Sequence, residues 1–432
     1  MNRYFIPVIL SSVATSLLLL FASSCKSSLD KQALYTYRLS ATDTLSYDRI
    51  PIDKPTVFEF RNTDPNTPVT FNFYSKQGIN YLNAAAMLRG IITNNMSDEQ
   101  KAIAIWKFVA NSGFSYPFNY DHHLQDHVDP MALVTFPYFL CGEKAGIVAN
   151  LAILAGMPAH RVSLIGHVVA EIKYGGSWHL FDADENCIFR DSSQNIVSVE
   201  DLSKHPEWIS ETNIKLAVEN NSFRFKRYRK YLEQYQASWI DTTFIIHNYS
   251  FPKSAIMLYP QDEIGFNLIP TSMWNRLLHP RYLFDTRGIL KRKMNVTQAN
   301  INRVNDTLLL FSEEFPYYIT ELKVASETPV DVNVYFQYQN RETLKTDREY
   351  LGNLSKQTTL IKKFNAPSKP DIYYRYKLEF ENLLQDDVGG ISIQHQFEFN
   401  SLTFPLHRRG DKIIAIDSID QKNVLFQIRK EE

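Results

Sequence analysis

The segment CGEKAGIVANLAILAG, residues 141–156, constrains the fold of this chain more than any other. Written on a helix, its apolar residues Ile147, Val148, Leu151, Ile153 and Leu154 go nearly all the way round instead of along one stripe. A helix of that kind must be enclosed by other elements, so a layered domain has to form around it. Gly156 supplies a C-cap and Pro158 forbids continuation. Strand patterns follow at 161–165, 167–174 and 178–182, the last two as a hairpin around Gly175-Gly176.

The same stretch carries the residues of a nucleophilic site. Cys141 falls at the helix start, where unpaired backbone N–H groups and the helix dipole favour a thiolate. A lone cysteine is more often a buried core residue. The hairpin raises its standing. If it closes symmetrically about Tyr174-Gly175, His167 faces Asp182, Val169 faces Leu180, and Glu171 faces Trp178. A carboxylate then holds one imidazole nitrogen and leaves the other for the thiol, the arrangement that acyl transfer through cysteine requires. A slip of one residue would separate the pair, whereas a slip of two would keep them as diagonal neighbours. His179 has the opposite parity and reads as a structural or surface histidine. The oxyanion donors expected are the Cys141 backbone N–H and the Tyr138 hydroxyl.

These residues resemble a known family. GMPAHRV, GHVVAEI and GGSWHLFDAD, placed in that order after the helix-borne cysteine, are similar to the core of the transglutaminase-like superfamily, a circularly rearranged relative of papain-like thiol proteases. The resemblance covers roughly residues 80–200. It implies Cys141 as nucleophile, His167 as general base and acid, and Asp182 as the orienting carboxylate. The chain departs from the family pattern at Phe139, where glycine is usual two residues before the cysteine. It departs again at Val169, in place of tryptophan, and at Ala183, in place of proline. Phe139 is positioned to narrow access to the thiol.

A second cluster competes for attention. Asp121, His122, His123, Asp126, His127 and Asp129 crowd one loop, and His123 with His127 has a spacing used by metal ligands. Without a helix pattern around them, a solvated polar loop is the better reading. No metal and no organic cofactor is expected.

The ends and the composition bound the setting. Residues 1–25 read as a signal peptide: Arg3, an apolar run over 6–21, then Ala22, Ser23, Ser24 and Cys25. Cys25 resembles the lipidated cysteine of a bacterial lipoprotein, and Lys26-Ser27-Ser28 a flexible tether; the plainer alternative is an ordinary signal peptide with an incidental cysteine. This expectation puts the protein at the cell envelope, held in a membrane by its lipid, in the periplasm or at the surface, with the outer membrane favoured. Lys plus Arg is 46 against 47 Asp plus Glu, a balance that argues against a nucleic-acid partner. Besides Cys25 only Cys141 and Cys187 remain. They can pair with each other, which would silence the nucleophile, or stand as two thiols, the favoured reading.

The fold expected is α+β: a transglutaminase-like (papain-like) core with an antiparallel sheet and a central helix bearing the cysteine, then an all-β C-terminal sandwich. Residues 26–75 read as a tether with short strands over 56–60 and 69–74, and 76–240 as the core. Helices are expected over 82–92 and from Ser97, whose Gln100 completes a capping-box signal. A return to helix is expected over 200–240, with a basic face at 224–230. Residues 241–300 read as a connecting segment, and 301–432 as the sandwich. There Val332, Val334 and Phe336 alternate with polar residues, as do Ile372, Tyr374, Tyr376, Leu378 and Phe380. The function expected is acyl transfer or hydrolysis of amide bonds through a thioester, on a protein or peptide substrate, with glycan as the further candidate. The competing expectation is a non-catalytic scaffold that uses the same cleft to hold peptide or glycan chains.

Overall fold

The computed structural model describes residues 35–39, 44–46, 56–75, 79–115, 128–135, 138–209, 230–232, 240–241, 255–270, 284–295, 298–339, 345–356, 358–364, 375–400, 403–404, 412–416 and 424–430. Among these the fold is α+β. Its sheets are antiparallel apart from one short pairing, Phe114–Ser115 with Tyr138–Phe139.

Three helices build one layer: α1 (Ala84–Ile91), α2 (Asp98–Ser112) and α3 (Cys141–Leu154). The capping box forms at the start of α2, where Gln100 N–H donates to Ser97 Oγ and Ser97 N–H donates to Gln100 Oε1. The apolar positions of α2, among them Ala102, Ile105, Trp106 and Val109, are buried, as their helical spacing requires. Along α3 every residue from Glu143 to Ala152 is buried, the enclosure that its all-round apolar character demands.

A four-stranded sheet supports α3, in the order Ile240–Asp241, Ala159–Leu164, His167–Tyr174, Ser177–Phe181. It is covered on both faces. Ala170 and Ile172 share a core with the helices, whereas Val162, Leu164, Val169 and Leu180 pack with Val199, Leu202, Ile209 and Leu232. The last set comes from the chain after the hairpin, including α4 (Val199–Lys204). Helix was expected over 200–240; the structure has α4, a 3-10 turn at Pro206–Trp208 and helical residues at 230–232, and residues 210–229 and 233–239 lie outside those described.

The sandwich is assembled from both ends of the chain. Its larger sheet has eight strands in the order Tyr35–Leu39, Val424–Lys430, Thr56–Asn62, Glu263–Pro270, Phe284–Lys293, Ile391–Glu398, Tyr318–Ser326, Thr359–Lys363. The smaller has five: Ile301–Arg303, Leu308–Glu314, Arg375–Glu381, Asn333–Gln339, Thr346–Asn353. The strands grouped by sequence with an N-terminal tether and with a connecting segment therefore belong to a sheet completed by the C-terminus. Thr56 pairs with Lys430 on one side and Leu268 on the other. Partners so far apart in sequence leave no local turn signal, which is why these strands read as isolated pieces. A further sheet joins Ile256–Leu258, Val69–Ser75, Lys412–Ile416 and Thr44–Ser46 in the same way.

Side chains tie the two large sheets together. Val334, Phe336, Leu378 and Phe380 of the smaller sheet share a core with Leu290, Leu322, Val324 and Ile393 of the larger. A buried ion pair crosses the same space, Arg292 Nε to Glu313 Oε2 at 2.8 Å, and Tyr376 is hydrogen-bonded to His395. Ile372 and Tyr374, expected on the strand with Tyr376, lie outside the described residues.

The sandwich also docks onto the helical layer. The buried side chain of Asn400, just past the strand Ile391–Glu398, donates to Ser112 O at the end of α2 (2.6 Å) and to Leu133 O (2.7 Å). Thr403 Oγ also donates to Leu133 O, so Asn400→Ala leaves chiefly the Ser112 carbonyl without this donor. Burial without a partner costs about 1–3 kcal/mol. We expect Asn400→Ala to lower the unfolding free energy by about that amount in urea titrations. An unchanged urea midpoint would show that this contact carries no stability.

Candidate active site

Cys141 is the first residue of α3. Leu140 before it is extended (φ −84°, ψ 167°), and its N–H donates to Glu143 Oε2 at 2.6 Å. That bond fixes the angle at which the chain enters the helix. The first intrahelical bond runs from Lys144 N–H to Leu140 O, so the N–H groups at the very start of the helix have no intrahelical acceptor. Cys141 is partly exposed, just before the buried stretch 143–152 of the helix, and its neighbour Gly142 approaches Val168 Cγ2, the nearest side-chain atom a Cβ there would meet at 3.8 Å.

His167 opens the next strand but one. The hairpin closes with Tyr174 opposite Ser177, and Gly175 (φ 58°) and Gly176 (φ 87°) take the left-handed conformations of a two-residue turn. The closure assumed about Tyr174-Gly175 is therefore corrected by two positions. The true partners are Glu171 with Leu180 and Lys173 with Trp178. A shift of two preserves the face, so His167 and Asp182 become diagonal neighbours instead of directly opposed ones. The longer diagonal reach is covered by the imidazole: His167 Nε2–H donates to Asp182 Oδ2 at 2.7 Å, with both side chains buried.

Asp182 is satisfied on all sides. Its Oδ1 accepts from the N–H groups of Asp184 and Glu185, each at 2.9 Å. Its carbonyl accepts from the buried Trp106 indole N–H at 2.8 Å, which anchors the end of the hairpin to α2. The ring of Tyr231 stacks on His167 with centroids 4.5 Å apart and an interplanar angle of 16°. Burial by itself pushes the imidazole pKa down. The Asp182 carboxylate, and then a hydrogen bond and charge interaction with Cys141, outweigh burial and hold His167 well above the usual histidine range. With Nε2 committed to Asp182, Nδ1 is the nitrogen that serves the thiol. Cys141, His167 and Asp182 are thus brought together at the start of α3.

The other residues singled out by sequence fall as follows. Tyr138 lies in the short strand Tyr138–Phe139, and its side chain is outside the described residues. Phe139 is 1 % exposed, and its ring fills the space beside Gly113, where a Cβ would come within 2.4 Å of it. It is a core residue, not a gate over the thiol. Cys141 and Cys187 are unlinked thiols. Cys187 is buried, and its backbone exchanges two hydrogen bonds with Asp182. His179 is buried, with its ring nitrogens on the Ile196 and Tyr174 carbonyls, the structural role its parity suggested. Cys25 and residues 121–127 of the polar loop lie outside the described residues, and Asp129 accepts from Met131 N–H.

Sequence reasoning missed Tyr231, Glu143 and Lys144 as parts of the site. Tyr231 has no sequence signal, because its contact depends on how a later segment folds back. Glu143 and Lys144 gave a visible one: two charged residues inside a helix that is otherwise apolar all round.

Glu143 makes a pH prediction. Burial pushes its carboxyl from 4.5 up to about 8, against the opposing hydrogen bond from Leu140. The folded state therefore prefers neutral Glu143. Its stabilising contribution is fully present below pH 4.5 and is lost as the pH rises through about 8. Glu143→Gln keeps an acceptor for the Leu140 N–H and cannot ionise. Unfolding free energies measured from pH 5 to 9 should show the variant gaining on wild type as the pH rises, and parallel curves would contradict the assignment.

Compared with known proteins, the chain matches no family model and no curated sequence.

Proposed function

We propose that the chain is a transglutaminase-like acyltransferase or amide hydrolase working through a thioester on Cys141, carried by a lipoprotein of the bacterial cell envelope. The observation that carries this reading is the connection of His167 to Asp182 on one side and to Cys141 on the other, at the start of a buried helix. The lipoprotein part rests on the N-terminal sequence, with Cys25 as the lipidated residue.

The chemistry follows from those contacts. The Cys141 thiolate attacks the carbonyl carbon of an amide, forming the C–S bond and pushing the carbonyl electrons onto oxygen. The Cys141 backbone N–H, at the helix start, is oriented to bind that oxygen. Collapse of the tetrahedral intermediate breaks the C–N bond, and the His167 imidazolium gives its proton to the departing amine. Neutral His167 then takes a proton from water or from a second amine as it attacks the thioester; collapse breaks the C–S bond, returns the Cys141 thiolate beside the His167 imidazolium and releases an acid or a new amide. Asp182 holds the imidazole through both halves and stabilises its charged form. Water prevails as acceptor unless the amine site excludes it, so hydrolysis and cross-linking are both outcomes of the same chemistry. The substrates this geometry suits are proteins or peptides, including those linked to glycan.

The test is a panel of peptide donors and primary amines, followed by mass spectrometry of both products and enzyme. Wild type should convert at least one donor and accumulate an acylated Cys141. Cys141→Ala should lose the activity, and Asp182→Asn should lower it by about 10²–10⁴-fold. No difference between wild type and Cys141→Ala across the panel would turn the reading toward a scaffold that only holds such chains.

A further inference from the structure

Lys144 is 1 % exposed, on a helix with no other buried cation, one turn beyond the nucleophile. Its Nζ lies 3.4 Å from Asp184 Oδ1. Asp184 is the residue whose backbone N–H donates to Asp182 Oδ1 at 2.9 Å, beside the equivalent bond from Glu185. The residue that Lys144 holds by its side chain therefore holds Asp182 by its backbone. We propose that Lys144 is a positioning residue for the His167–Asp182 pair, acting through the Asp184 carboxylate. The inference rests on the acyl-transfer reading above and adds to it the device that sets the angle of the orienting carboxylate.

Charges crowd a confined space here. Asp184 sits two residues from the buried Asp182 carboxylate and close to the buried Glu143 carboxyl. The Asp182 and Asp184 carboxylates so placed repel each other in a medium that screens poorly, and the charge on Asp184 is part of what keeps Glu143 neutral. The groups facing them are the Lys144 ammonium on α3 and the His167 imidazolium on the strand. Of the two, His167 is engaged by Asp182, and Lys144 offsets Asp184. Removing the ammonium leaves Asp184 repelled by Asp182, with no cation on α3 to offset it. Its side chain, 19 % exposed, then turns toward water and draws its N–H away from Asp182 Oδ1. The carboxylate loses one of the two bonds that aim Oδ2 at His167. Lys144 also spans two elements: α3, which carries the thiol, and the turn after the hairpin, which carries the carboxylate. It thereby fixes the distance across which His167 must bridge.

The test reads Cys141 alone, by peptide-resolved mass spectrometry after limited iodoacetamide treatment of the full chain at pH 7, and needs no substrate. His167→Ala is the control for the underlying reading. The expected results are a rate about tenfold or more below wild type for Lys144→Met, and recovery to within about threefold in Lys144→Met/Asp184→Asn, since the neutral carboxamide no longer needs the ammonium. Lys144→Gln, closer in shape and polarity, should be slowed in the same direction and rescued by the same second change; it serves if the methionine variant does not fold. A wild-type rate in Lys144→Met or Lys144→Gln, with His167→Ala slowed, would overturn the positioning role and leave the thiol site standing. Slowing that Asp184→Asn fails to rescue would also overturn it, because Lys144 would then act through packing. If His167→Ala reacts like wild type, the acyl-transfer reading falls, and this inference with it.

Discussion

A carboxylate taken out of water needs a partner for each of its lone pairs, and the Asp182 site is built around that need. Its two side-chain oxygens receive three hydrogen bonds, from His167, Asp184 and Glu185, and its carbonyl receives two more, from Trp106 and Cys187. The donors come from three parts of the domain: the strand before the hairpin turn, the segment after the hairpin, and helix α2. Fixing Asp182 therefore fixes the register in which the helical layer meets the sheet. It also fixes His167, whose charged form the carboxylate stabilises and whose ring is held from the outer side by Tyr231. In the proposed reading, Cys141 stands at the end of this arrangement.

The rest of the molecule bears on that site through packing. Both faces of the small sheet are covered, so neither His167 nor Asp182 can relax into solvent without opening a core. The sandwich extends the same apolar core and is joined to the end of α2 and to residue 133 through Asn400. Since α2 also carries Trp106, a contact from the sandwich reaches the carbonyl of Asp182 through one helix. This is a physical route by which binding at the sandwich would be felt at the thiol.

Much of the site could be read from residue patterns. The all-round apolar helix, its start at Cys141, the capping box at Ser97 and the hairpin over 167–182 all arise from local spacing, and local spacing is what a sequence displays. The hairpin register was legible only to parity, because Tyr174-Gly175 and Gly175-Gly176 are both acceptable two-residue turns. Two adjacent positive φ values select the second. Parity sufficed, since a shift of two keeps His167 and Asp182 on one face. What sequence could not show is what depends on distant partners. Thr56–Asn62 lies between strands from residues 263–270 and 424–430, and nothing near residue 56 announces either. Tyr231 reaches His167 for the same reason. Phe139 shows the opposite error: proximity in sequence to the thiol suggested a gate, whereas its ring is spent filling the space that Gly113 leaves.

The central claim is that His167 is a charged imidazolium bound between Asp182 and Cys141. The most direct measurement is the nitrogen-15 and proton NMR of the His167 side chain in histidine-labelled protein, taken as a function of pH. The account predicts that both ring nitrogens stay protonated well above the usual histidine range, with the Nε2 proton shifted far downfield by its short bond to the carboxylate, and that this signal is lost in Asp182→Ala. A His167 ring that becomes neutral near pH 6.5, with no downfield proton, would contradict it.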